Sequence, residues 1–219
     1  MGSTLTLQDD LNVRRAKSAA ALPAPMLATM DHDVASVTAS GIADRAARVG
    51  DPLPRATLLD VEGNPVTIDE MLADGPLVIS VYRGGWCPYC NVELRALEAH
   101  LDKITAAGGR LVAVSPMSPD ASLTTAEKHD LRFPVLSDVG LGWLRALGLV
   151  HSLSDDVKAL YDSWGFQTDV VNVGHGDVLP LPATFVVAQD GTISWRHVDP
   201  DYVQRADPDD IVAALGDLA

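Results

Sequence analysis

The chain's two cysteines, Cys87 and Cys90, form one C-x-x-C pair. Residues 76–82, just before the pair, are apolar and rich in β-branched side chains, which predicts a buried strand. Leucines at helical spacing follow the pair, so it lies where a strand gives way to a helix. Free N–H groups and the dipole at a helix start stabilise a thiolate, the nucleophile in disulfide exchange and in attack on a peroxide. The pair therefore indicates redox chemistry, with a reversible disulfide between the two cysteines.

Two other uses of a C-x-x-C pair stand beside this interpretation. A zinc site needs further ligands, and the chain has no other cysteine and no closely spaced pair among its six histidines. A static structural disulfide would close so short a loop that it removes little entropy from the unfolded chain. We therefore favour a redox-active pair over both.

The composition of the 219 residues predicts a globular protein of one domain with additions, or of two domains at most. A net charge of −14 argues against binding to nucleic acid or to an anionic membrane surface. No apolar run is long enough to cross a bilayer. Residues 14–26 faintly resemble a signal peptide, but two prolines interrupt the apolar part and two aspartates follow it. We therefore expect a cytoplasmic enzyme.

The first 48 residues differ from the rest and predict a helical extension, with the main domain over residues 49–219. This extension is alanine-rich and reads as two helices, over residues 5–17 and 28–49, joined by Leu22–Pro25. Its apolar stripe needs a partner surface, either on the main domain or on a second copy of the chain. We expect it to support a homodimer.

From residue 49 onward, predicted strands and helices alternate, and a β-hairpin and a helix close the chain. This order predicts an α/β fold with a mixed central sheet flanked by helices. The elements are a hairpin (55–59 and 66–68), a strand (77–82), a helix from the cysteine pair to 107, a strand (110–115), a helix (122–128), a strand (134–136), two helices (141–147 and 155–164), a second hairpin (183–187 and 192–195) and a helix from 207.

This order of elements, with C-x-x-C at the first strand–helix junction, resembles the thioredoxin fold. Residues 49–54, 81–90 with Glu93, and 133–138 are similar to the pattern of the peroxiredoxin (alkyl hydroperoxide reductase, thiol-specific antioxidant) family. Residues 82–91, together with Val198–Tyr202, are similar to a C-x-x-C peroxiredoxin-like subgroup. The resemblance covers residues 49–219 and implies an antioxidant thiol peroxidase. One cysteine would attack a hydroperoxide and become a sulfenic acid, and the other would condense with it. A thioredoxin-like protein or a small thiol would regenerate the pair, and no metal, flavin or nucleotide cofactor is implied.

Two positions depart from the family's pattern and resemble thioredoxins instead. The family has a threonine three residues before its peroxidatic cysteine, and if Cys90 aligns with that cysteine, Cys87 replaces the threonine. The family's arginine falls at Pro182, which resembles the cis-proline that faces the thiols in thioredoxins. The family's spacing nominates Cys90 as the attacking thiol, whereas the thioredoxin resemblance and the free N–H groups nominate Cys87, which we favour. We expect Pro182 to be cis and to form a docking turn beside the thiols.

Because Pro182 occupies the position of the family's active-site arginine, another residue would have to supply that positive charge. Arg83 and Arg196 are candidates for this role, and Arg83 would stabilise a thiolate or a leaving oxygen through its charge. Arg83 is equally suited to a structural ion pair with Glu93 or Asp138. The sequence leaves these alternatives open.

Trp86 and Tyr89 flank the thiols and are candidates for a surface that docks a protein disulfide. Ordinary partial burial beside the strand end explains them equally well. We predict a thiol-dependent oxidoreductase that reduces hydroperoxides. The alternatives are a thioredoxin-type reductase of protein disulfides and a non-enzymatic redox sensor whose disulfide changes its affinity for a partner.

Overall fold

The structure, a computed structural model, describes residues 6–218. The predicted start of the first helix, residue 5, lies outside them. The helices are α1 (Leu7–Ala21), α2 (Ala24–Ala39), α3 (Ile42–Arg45), α4 (Ile68–Leu72), α5 (Pro88–Ala106), α6 (Pro119–Lys128), α7 (Gly142–Ala146), α8 (Asp155–Ser163), α9 (Thr168–Val171) and α10 (Pro208–Gly216). The strands are β1 (Thr57–Leu59), β2 (Pro65–Thr67), β3 (Leu77–Val81), β4 (Arg110–Ser115), β5 (Val135–Ser137), β6 (Val150–Ser152), β7 (Val178–Pro180), β8 (Ala183–Val187) and β9 (Ile193–Val198).

Seven of these strands form one mixed sheet in the order β2-β1-β5-β4-β3-β8-β9. Strands β3, β4 and β5 are parallel, while β8 runs antiparallel to β3 and places Ala183 beside Val81. Because β3 is hydrogen-bonded to β4 on one side and to β8 on the other, the sheet holds the strand end from which the C-x-x-C segment begins. The predicted α/β fold with a mixed central sheet flanked by helices is confirmed.

Strand β3 is buried on both faces of the sheet. Its side chains alternate, so that Ile79 and Val81 belong to one core layer and Val78 to the other, which it shares with Leu94 of α5. All five residues of β3 are buried. Fully apolar strands of this kind are typical of sheets covered by helices on both sides.

The N-terminal helices pack on the rest of this same chain. Helix α1 lies against α5 and α2 lies against α8. Leu11 of α1 is fully buried in the core layer of α5, and Arg15 pairs with Asp201 at 2.8 Å. The sequence predicted that the apolar stripe packs either on the main domain or on a second copy of the chain, and the structure shows packing on the main domain. A homodimer stays a prediction.

Several elements differ from the predictions where local capping and distant pairing overrode the sequence pattern. The second helix ends at Ala39 rather than near residue 49, since Gly41 adopts a left-handed φ of 67° before α3. Thr67 and Glu70 form a capping box, so α4 begins at residue 68, which was predicted as strand. The two-stranded sheet of β6 and β7 was not predicted.

Among the described residues, no helix is long and apolar enough to cross a membrane.

Replacing Leu11 by alanine is expected to lower the free energy of unfolding by about 2 to 3 kcal/mol, because it removes a buried side chain that clamps α1 onto α5. Val13, on the same helix and 50% exposed, provides the matched control, and Val13→Ala should change stability by less than about 0.5 kcal/mol. Urea titrations of the two variants measure the difference. Equal stability of both would show that α1 is only loosely attached.

Candidate active site

The turn between β3 and α5 fixes the position of both cysteines. Cys87 is the N-cap of α5 and Pro88 its first residue, where a missing N–H is harmless. The Cys87 N–H donates to the Gly84 carbonyl at 3.0 Å. Gly84 has a φ of 143°, and a Cβ there would lie 2.8 Å from Met117 Sδ, so only glycine fits. The turn therefore presents Cys87 at the free end of the helix.

Both cysteines are reduced and buried, with 1% of Cys87 and none of Cys90 exposed. Cys87 lines a cavity of about 670 Å³, together with Trp86 and Tyr89. Cys90 lies one helical turn further in and does not line this cavity. Within residues 6–218 no three histidine, cysteine or acidic side chains converge as metal ligands would.

Arg205 supplies a buried cation beside Cys90. Its Nη2 lies 3.6 Å from Cys90 Sγ, and its Nη1 forms an ion pair with Glu93, one turn further along α5. The side chains of both ion-pair partners are almost fully buried. Arg205 also donates to the Tyr202 carbonyl at 2.7 and 2.9 Å, which fixes the orientation of the guanidinium. Glu93 is therefore the partner of Arg205 and not, as one alternative had it, of Arg83.

Arg83 supplies a second buried cation, on the side of the site nearer Cys87. Its guanidinium lies 5.0 Å from the ring centre of Trp86 and 4.6 Å from that of Tyr202. Its Nη2 donates to Tyr161 Oη at 2.5 Å. Aromatic faces and a phenol hold the charge without neutralising it.

The other two polar groups considered with Arg83 serve the fold. Asp138 accepts the N–H of Leu144 at 2.8 Å, and Arg196 donates to the carbonyls of Ala46 and Ala47. An ion pair of Arg83 with Asp138 is therefore wrong, and so is Arg196 as the replacement cation.

The two thiols have opposite acidities. Burial alone would raise the pKa of Cys87, but a hydrogen bond from the Cys90 thiol, the charges of Arg83 and Arg205 and the Cys90 amide together lower it to about 5. Burial raises the pKa of Cys90, and the neighbouring Cys87 thiolate raises it further, against the opposing charge of Arg205. These shifts favour a thiolate at Cys87 and a protonated thiol at Cys90 at neutral pH.

The sequence profile of the AhpC/TSA family matches residues 49–196 of the chain. The protein belongs to the AhpC/TSA family. The match runs from before β1 into β9, includes both cysteines and Arg83, and ends before Arg205. The peroxiredoxin-like resemblance read from the sequence is confirmed.

Among similar proteins, the putative peroxiredoxin Rv2521 of Mycobacterium tuberculosis is 26% identical over 144 residues, which are 66% of this chain and 80% of that protein. The thiol-disulfide oxidoreductase ResA of Halalkalibacterium halodurans is 28% identical over 109 residues, which are 49% of this chain and 61% of ResA. The latter match therefore spans less than two thirds of ResA. The crystal structure of the peroxidoxin BcpB from M. tuberculosis superposes with a TM-score of 0.62 at 20% identity, covering 78% of this chain and 98% of BcpB. That superposition establishes a shared thioredoxin-like fold.

The expectation that Pro182 is cis and forms a docking turn beside the thiols is wrong. The Leu181–Pro182 bond is trans, not cis, and Pro182 lines a separate cavity of about 10 Å³ rather than the cavity of Cys87. The reason is the added strand β7: Leu181 N–H donates to the Leu149 carbonyl at 2.8 Å, so the chain runs extended from β7 into β8 without a turn. Leu181 therefore has no free N–H to offer an incoming disulfide.

Arg205 is the site residue that the sequence reasoning missed. It lies 115 residues from Cys90 along the chain, three positions past the Val198–Tyr202 segment that carried part of the resemblance. Periodicity and spacing report local structure, so they held no signal for this contact. The subgroup motif was the one feature that pointed to this region.

The pKa of Cys87 leads to a direct titration experiment. The ultraviolet absorbance of its thiolate should appear with a midpoint near pH 5 and stay level through neutral pH, whereas an ordinary thiol ionises near pH 8.5. The Cys87→Ser variant is the control and should lack the step. A single rise above about pH 8 in the wild type would show that neither thiol is activated.

Proposed function

We propose that this AhpC/TSA family member reduces hydroperoxides through a dithiol–disulfide cycle of Cys87 and Cys90. The observation that carries the proposal is the arrangement of the pair: Cys87 is acidified at a helix start and opens on a cavity, while Cys90 is held protonated behind it. A thiolate with a protonated partner thiol within reach is what attack and resolution require.

The cycle begins when the Cys87 thiolate attacks the outer oxygen of a hydroperoxide. The O–O bond breaks, Cys87 becomes a sulfenic acid, and the other oxygen leaves as an alcohol or water after taking up a proton. Cys90 then loses its proton and attacks the Cys87 sulfur. Water leaves and the disulfide forms, and an external dithiol returns two electrons and two protons to the pair.

The two arginines serve different steps of this cycle. Arg83 lies on the cavity wall with Cys87, where its charge stabilises the thiolate and the oxygen leaving the peroxide. Arg205 contacts Cys90 Sγ at 3.6 Å, where it stabilises the thiolate that attacks the sulfenic acid and that departs again during reduction. Arg205 thereby takes over part of the role of the family arginine replaced by Pro182.

The test mixes the reduced protein with hydrogen peroxide or with a protein disulfide and follows intrinsic fluorescence, since Trp86 is next to Cys87. The peroxide should react faster, and mass spectrometry after one equivalent should show the loss of two hydrogens. Repeated consumption of peroxide in the presence of a dithiol distinguishes an enzyme from a redox sensor. Thiols that stay alkylatable after peroxide would refute the proposal.

Thiol–disulfide exchange without peroxide is the second candidate function. It is favoured by the similarity to ResA and by Cys87 at the position where the family has threonine. A faster reaction with the protein disulfide than with peroxide would select it over the first.

The proposal also covers the reductant, the cellular compartment, the division into domains and the oligomeric state. The regenerating dithiol is a thioredoxin-like protein or a small thiol, and the enzyme works in the cytoplasm, without a cofactor and away from nucleic acid and membranes. Residues 1–48 form an extension to a catalytic domain of residues 49–219 and contribute to a homodimer. Sedimentation of the full chain measures the last point.

A further inference from the structure

Helix α8 brings the phenol of Tyr161 to the cavity of Cys87. Val157, Leu160 and Tyr161 are buried at helical spacing, so they form the face of α8 that packs on the rest of the chain. The Tyr161 ring contacts the Trp86 ring edge to face, with ring centres 5.8 Å apart, and it lines the same cavity as Cys87. A hydroxyl group therefore stands on the wall of the space in which the peroxide must react.

The hydrogen bonding of this phenol leaves its proton available. Tyr161 Oη accepts a hydrogen bond from Arg83 Nη2 at 2.5 Å, and no residue in 6–218 accepts the Tyr161 proton in return. Burial holds the pKa of Tyr161 above its ordinary value, although the charge of Arg83 opposes this rise. The phenol is therefore protonated at neutral pH, and the guanidinium beside it stabilises the phenolate that forms when the proton leaves.

The other groups near Cys87 are less suited to give a proton to a leaving oxygen. An arginine does not deprotonate in proteins, so Arg83 can stabilise a charge but cannot supply a proton. Cys90 does not line the cavity, and its proton is used later, when the disulfide forms. Tyr89 and Tyr202 line the cavity but pack against each other, with ring centres 5.5 Å apart, and within the described residues Arg83 donates to neither hydroxyl. The phenol on α8 is thus the best-placed donor.

We propose that Tyr161 is a catalytic residue that gives its proton to the oxygen leaving the peroxide. This inference rests on the proposed hydroperoxide reduction and identifies the proton donor of its first step. The Cys87 thiolate bonds to the outer oxygen, and the electron pair of the breaking O–O bond goes to the other oxygen. That oxygen takes the Tyr161 proton and leaves as an alcohol or water. The resulting phenolate pairs with Arg83 and regains a proton from the solvent.

The experiment uses Tyr161→Phe, which keeps the ring and removes the hydroxyl, and measures the rate of Cys87 oxidation at neutral pH. Hydrogen peroxide releases hydroxide, which needs a proton, so its reaction should slow at least about a hundredfold. Peracetic acid releases acetate, a stable anion, so its reaction should slow less than about threefold. Trp164→Phe is the matched control and should keep the wild-type ratio of the two rates, because Trp164 packs against Tyr161 with ring centres 5.9 Å apart but carries no hydroxyl.

Two further measurements separate proton donation from a structural role. Alkylation of Cys87 by iodoacetamide needs the thiolate but no proton donor, so Tyr161→Phe should alkylate within about twofold of the wild-type rate. The wild type, without any variant, should react with hydrogen peroxide more slowly in heavy water than in ordinary water, and with peracetic acid equally fast in both.

Several results would overturn this role of Tyr161 and leave the peroxidase function standing. They are equal slowing of both peroxides in Tyr161→Phe, an unchanged rate with hydrogen peroxide, alkylation slowed as far as peroxide reduction, or no effect of heavy water on the wild type. A wild type that neither peroxide oxidises would refute the peroxidase function itself.

Discussion

Replacing Cys87 by serine is expected to abolish hydroperoxide reduction, with the rate of oxidation of the protein falling at least about a thousandfold. Cys87 is the thiol with the lowered pKa and the one that lines the cavity. A serine hydroxyl in the same position stays protonated and offers no nucleophile to the peroxide. Stopped-flow fluorescence with excess hydrogen peroxide measures the loss.

Cys90→Ser is the matched control, because it keeps the helix start and Cys87. This variant should react once with peroxide at close to the wild-type rate and then accumulate a sulfenic acid that dimedone traps. Cys87→Ser should give no such adduct. If instead Cys87→Ser reacts rapidly and Cys90→Ser does not, Cys90 is the attacking thiol, as the spacing of the family indicates.

The position of the cysteine pair could be predicted from the sequence because local signals agree there. An apolar run, a short glycine turn and leucines at helical spacing each point to a strand–helix junction, and β3 and α5 follow that pattern. The hairpin of β8 and β9 was predictable for the same reason, since Asp190 and Gly191 form its turn. Where turn chemistry and hydrophobic pattern act together, neighbours along the chain determine the structure.

The rest of the site depends on contacts between distant segments. Arg205 reaches Cys90 from beyond β9, and α2 closes the cavity from the other end of the chain. The trans geometry of Pro182 follows from β7, whose pairing with β6 joins residues 150 and 180. A resemblance to thioredoxins transferred the proline but could not transfer the strand that precedes it, which explains that error.

The Arg205–Glu93 ion pair leads to the second large effect. Arg205→Met is expected to lower the free energy of unfolding by about 3 to 5 kcal/mol above neutral pH, because the buried Glu93 carboxyl must then carry its charge without a partner or hold a proton. It should also slow disulfide formation, since the guanidinium no longer stabilises the Cys90 thiolate. Urea titration and the lifetime of the Cys87 sulfenic acid measure the two consequences.

The pH dependence distinguishes this electrostatic cause from simple loss of packing. Burial raises the pKa of Glu93 to about 7 even though the charge and hydrogen bond of Arg205 oppose that rise. Without Arg205 the pKa in the folded state rises further above the unfolded value of 4.5, so folding holds a proton that the unfolded chain releases. Stability is then fully retained below about pH 4.5 and is lost as pH increases towards the folded pKa. The wild type follows the same course up to about pH 7, so the deficit of Arg205→Met should grow as pH rises above about 7. The double variant Glu93→Gln with Arg205→Met has no such carboxyl, so its loss of unfolding free energy should be smaller and constant with pH. Its disulfide should still form slowly, because Cys90 lacks the Arg205 cation. A deficit of Arg205→Met that is the same at every pH would mean that the arginine contributes through packing alone.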